Sequence, residues 1–151
     1  LVRAGKVQAM AVRAAIREGA DVNQKLEDDT RTPLQHAADD GNAWLVRTLA
    51  AAGADVNQMY EDSDECHWTP LIAAVYMGHD ELIKELTAAG ADVHLGASAE
   101  GEKPMCAAVE QNSVEILRLL IEAPGADVNR EYDGETLLFT AAARGQVKAV
   151  R

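Results

Sequence analysis

Aromatic side chains are scarce, with two Trp, three Tyr and one Phe in 151 residues, whereas alanine occurs 28 times. So few large rings argue against a β-sandwich core, and so much alanine points to helices packed close together. Two cysteines, Cys66 and Cys106, build no disulfide framework, so a reduced, cytoplasmic setting is expected, with the nucleus left open. No apolar run approaches the roughly 20 residues of a membrane helix, no charged-then-apolar leader opens the chain, and no Asn-X-Ser/Thr acceptor occurs. Positive charge is also short: 14 Lys and Arg stand against 25 Asp and Glu, a net charge of −11. Nucleic acid would be repelled and is not expected as a partner.

The motifs of catalysis and metal binding are missing too. Gly96-Ala97-Ser98-Ala99-Glu100 lacks the last Gly of a nucleophile elbow. The run from Asp62 to His67 lacks the Gly and terminal Glu of a calcium loop. His36, His67, His79 and His94 form no pair at helical ligand spacing. The expectation is a non-enzyme with no cofactor and no metal.

What the chain does have is repetition. Gly-Ala-Asp-Val-Asn stands at 19–23 and 53–57, returns as Gly90-Ala91-Asp92-Val93-His94, and again at 125–129, at spacings of 34, 37 and 35. A second word runs in phase: Thr32-Pro33-Leu34, Thr69-Pro70-Leu71, Lys103-Pro104-Met105 and Thr136-Leu137-Leu138, each shortly before an Ala pair. Two phased words mark a solenoid. Thr then Pro starts a helix, because the hydroxyl caps an orphan amide and Pro at the first position loses no hydrogen bond. Gly41, Gly78, Asn112 and Gly145 tolerate the left-handed backbone that ends it. A second helix follows, with Leu45, Val46 and Leu49, then Leu82, Ile83 and Leu86, then Ile116, Leu117 and Leu120 on one face. Gly53, Gly90 and Gly125 stop it.

These words, in this order and over nearly the whole chain, resemble the ankyrin repeat. The resemblance implies an all-α solenoid: one domain over 1–151, antiparallel helix pairs stacked side by side and joined at right angles by β-hairpin fingers. The approximate repeats are 1–26, 27–63, 64–97, 98–130 and 131–151, with both ends incomplete. In the family a His follows Thr-Pro-Leu and ties hairpins together. Gln35, Ile72, Cys106 and Phe139 stand there in this chain, which removes that tie as the family makes it. Thr30 and His67 replace the finger Gly kept as Gly101 and Gly134, so the first two fingers should be less regular. Pro124 adds a residue before Gly125 and should make a local bulge.

Function must be read from surface residues, since the fold alone is a scaffold. The fingers, residues 24–31, 58–68, 95–102 and 130–135, carry net charges of −1, −4, −2 and −2, so the acidity lies along one edge. Within about a Debye length of 8 Å such fields overlap and steer a basic partner. The resemblance also places the ends of the first helices on a concave face. Candidate partner-binding residues are Asp28, Asp29, Arg31, Asp64, Glu65 and Glu102 on the fingers, with Asp39, Asp40, Glu110 and Gln111 at the helix ends. Trp68, Tyr76 and Met77 are the apolar anchors, ringed by acids as protein interfaces favour. The expected role is a monomeric, non-catalytic module binding another protein or peptide, basic in character, without membrane insertion. Two other readings stand beside it: a regulatory or substrate-recruiting segment of a larger enzyme, channel or ubiquitin-ligase adaptor, and a linking array with no dedicated partner.

Overall fold

A computed structural model describes residues 2–25, 29–61, 67–96 and 103–145. In chain order the elements are α1 (Val2–Arg17), α2 (Pro33–Asp39), α3 (Ala43–Ala51), β1 (Tyr60–Glu61), β2 (His67–Trp68), α4 (Pro70–Met77), α5 (Asp80–Ala88), α6 (Pro104–Glu110), α7 (Val114–Ile121), β3 (Glu131–Tyr132), β4 (Glu135–Thr136) and α8 (Leu137–Ala143). Helices α2, α4, α6 and α8 pack in sequence as an inner row, and α3, α5 and α7 as an outer row. Each inner helix also packs on the outer helix that follows it, as α2 on α3, α4 on α5 and α6 on α7. This is the helix-pair solenoid that the two repeated words describe.

The Thr hydroxyls do what the first word asks. Thr32, Thr69 and Thr136 each accept from the amide three residues on. Lys103, in the third copy, makes no side-chain cap. Gly41, Gly78, Asn112 and Gly145 all take positive φ, between 55° and 69°, so the inner helices end where expected. The core is small-residue packing along the row: Leu34, Ala38, Leu71, Ala74, Met105 and Ala108 are essentially inaccessible. The outer row contributes Val46, Leu49, Leu82, Ile83, Leu86 and Leu120 to the same cluster. Trp44 begins the outer row half-buried, with the Arg13 guanidinium 5.6 Å over its ring, which is a packing role.

The second word is a hydrogen-bond device. Its Asp builds a local turn, accepting from the amide two residues on at 2.8–3.0 Å in all four copies. Its Asn bridges to the next copy: Asn23 Oδ1 accepts from Asp55 N–H at 3.0 Å, and Asn57 Oδ1 from Asp92 N–H at 2.8 Å. His94 inherits the task, its Nε2 accepting from Asp127 N–H at 2.9 Å. The same Nε2 lies 3.2 Å from Gly125 O, and Nδ1 is hydrogen-bonded with Tyr132 Oη. The Tyr132 hydroxyl in turn faces Met105 Sδ at 3.8 Å. Burial pushes the Tyr132 phenol up to about 12, against its ordinary 10.0.

Three sequence expectations meet the structure differently. The tie between hairpins survives at one place without its His, because the Gln35 amide supplies both halves. Its Oε1 accepts from Thr32 N–H, and its Nε2 donates to Gln58 O, each at 2.6 Å. The second finger is paired although His67 replaces the Gly, with Tyr60 opposite Trp68. The first finger shows no strand among its described residues and turns on Asp29, which accepts from Arg31 N–H at 2.9 Å. The fourth finger is regular: Asp133 and Gly134, both at positive φ, form the two-residue loop between β3 and β4. Most of the third finger lies outside the described residues. At Pro124 the extra residue does change the helix end. Ala54 and Ala91 amides reach back to Leu49 and Leu86, whereas the Ala126 amide bonds Ala123 O instead.

Candidate functional site: the finger edge of the inner row

In the first two copies the residue just before the Thr meets the seventh residue after that Thr, because the finger folds down beside the end of its own inner helix. At α2 this brings Arg31 to Asp39, with Nη1 2.9 Å from Oδ2. Arg31 Nε also lies 3.2 Å from Asp29 Oδ1. His36 Nε2 sits 2.7 Å from the other Asp29 oxygen, and Tyr60 from the next finger donates its hydroxyl to Asp39 at 2.8 Å. The Arg31 backbone N–H, then its guanidinium, hold the Asp29 carboxyl at about 2, below its ordinary 3.8. Asp29 first and Asp39 second raise the Arg31 guanidinium above its usual value.

At α4 the same two places carry rings. Trp68 and Tyr76 lie 4.8 Å apart between centroids, tilted by 57°, the geometry aromatic pairs prefer. Tyr76 is 38% and Met77 50% exposed, at the very end of the helix. Trp68 Nε1 is buried with no acceptor among the described residues. At α6 the corresponding Glu110 binds Arg144 from beyond α8, Oε1 to Nη2 2.6 Å.

The sequence-derived list therefore divides. Trp68, Tyr76 and Met77 come together as a patch. Asp29, Arg31 and Asp39 come together as an internal network, and Glu110 is likewise engaged by Arg144. These acids are not free charges, which narrows the acidic rim. Asp40 and Gln111 are exposed beside the network and the pair. Asp28, Asp64, Glu65 and Glu102 lie outside the described residues. His36, Tyr60 and Arg144 are participants that sequence reading passed over. The recurring spacing of eight between Arg31 and Asp39 and between Trp68 and Tyr76 is the signal that would have found the two pairs. Among the described residues no group of three or more His, Cys, Asp or Glu is placed to hold a metal, and no helix is long and apolar enough to cross a membrane. Cys106 is half-buried.

A family model of ankyrin repeats (3 copies) matches residues 2–97, 59–132 and 82–151. The chain belongs to the ankyrin repeat family. No curated protein matches it significantly. Ankyrin repeats are in general protein–protein interaction modules, and this ankyrin array places its exposed aromatic patch on the finger edge of the inner row, with an ion-paired step on each side.

Proposed function

We propose that this ankyrin array is a non-catalytic module that captures a basic protein or peptide along the finger edge, with Trp68, Tyr76 and Met77 as its anchors. The observation that carries this reading is the exposed Tyr76–Met77 step backed by Trp68; the finger segments, read from the sequence, add a net negative charge. An exposed ring and thioether next to internally neutralised charge give a patch that is cheap to desolvate, where binding energy concentrates. The acidic fingers add long-range attraction and speed of encounter.

The test is affinity capture with three baits: the wild-type chain, Tyr76→Ala, and Lys84→Ala on the outer row. The expected result is a partner retained by the wild-type and Lys84→Ala baits, weakened at least tenfold by Tyr76→Ala, and released near 0.5 M salt. Equal retention by all three baits would contradict the assignment.

A further inference from the structure

We propose that the Trp68–Tyr76 corner, with Met77 beside it, seats an arginine side chain of the partner. This rests on the finger-edge reading and names the group that the anchors hold. The inner row is a series of equivalent stations, one helix apart, or about 10 Å. At the α2 station Asp39 holds Arg31 at 2.9 Å, and at the α6 station Glu110 holds Arg144 at 2.6 Å. Both flanking stations thus hold a guanidinium of this chain. The α4 station between them presents rings instead of a carboxylate.

A guanidinium is the cation suited to such a place. It is planar, weakly hydrated, and stacks on aromatic faces, while its apolar stem lies along neighbouring hydrophobic surface. Met77, half exposed at the helix end, offers that surface. The chain uses its own rings in the same manner: Arg13 lies 5.6 Å over Trp44, and Lys103 5.8 Å over Tyr132. A carboxylate-bearing partner would meet a net charge of −11, and a wholly apolar one would leave that field unused. An arginine satisfies the field and the rings together.

The probe is the capped pentapeptide acetyl-Gly-Ser-Arg-Ser-Gly-amide, compared with its citrulline and leucine analogues. Citrulline keeps the planar shape without the charge, and leucine keeps only an apolar stem. The readout is the two indole N–H signals of the folded chain in a nitrogen-15 NMR titration, with Trp44 as the internal control. The expected result is a shift at Trp68 and not at Trp44, an affinity for the arginine peptide at least fivefold above both analogues, and loss of the shift in Tyr76→Ala. Equal binding of either analogue, or a shift confined to Trp44, overturns the proposal. If arginine shows no preference while Tyr76→Ala still loses the captured partner, the arginine assignment falls and the binding edge stands. If capture is also indifferent to Tyr76→Ala, both fall.

Discussion

Leu71→Ala is expected to lower the unfolding free energy by about 3 kcal/mol, and Leu138→Ala by less than about 0.5 kcal/mol. Both leucines occupy the third place of the same repeated word. The difference lies in what covers them. Leu71 is 1% exposed between α2 and α6, whereas Leu138 is 59% exposed on α8, as is its neighbour Phe139 at 58%. Truncating Leu71 removes three buried carbons and leaves a cavity lined by stiff helices, so the transfer and cavity terms add. The loss is magnified in consequence by position: a solenoid is held by nearest-neighbour contacts, and α4 sits mid-row. Leu138 has little buried area to lose. Urea titration followed by circular dichroism checks both variants; similar midpoints would mean that α4 is not clamped between its neighbours.

His94→Ala is expected to cost about 2–3 kcal/mol, and His94→Asn roughly half as much. His94 is buried, and its ring joins three segments through Asp127 N–H, Tyr132 Oη and, beyond that hydroxyl, Met105. Alanine would remove the imidazole from the Asp127 amide and from the buried Tyr132 hydroxyl, the costly side of hydrogen-bond removal. Asparagine restores the bridge to Asp127 by the geometry already seen at Asn23 and Asn57, but it is too short to reach Tyr132. Thermal unfolding of the two variants, with Tyr132→Phe as a third, reads the series. If His94→Asn proved as costly as His94→Ala, the imidazole would be serving something other than the ladder.

The architecture was legible because its determinants are local and copied. Thr caps and the positive-φ Gly and Asn residues each act within a few positions, so phase alone reveals them. What stayed hidden depends on side chains that meet only after the chain has folded. Asp39 reads as a free acid until the first finger brings Arg31 against it from eight residues away. Gln35 reads as the loss of a tie until its amide is seen to donate and accept at once. His94 reads as a one-letter variation on Asn, although its longer ring reaches Tyr132 thirty-eight residues on. The aromatic patch was legible in part: Trp68 and Tyr76 stand out by rarity, but their mutual contact follows from the spacing of eight that the finger-to-helix corner imposes.

The most direct measurement is photo-crosslinking from two positions of the folded chain, with benzoylphenylalanine placed once at Met77 and once at Lys84. Both side chains are exposed, one on the finger edge of the inner row and the other on the outer row. Binding at the finger edge gives a crosslinked partner from position 77 and none from position 84. A partner that forms its complex yet crosslinks only from position 84 would contradict it.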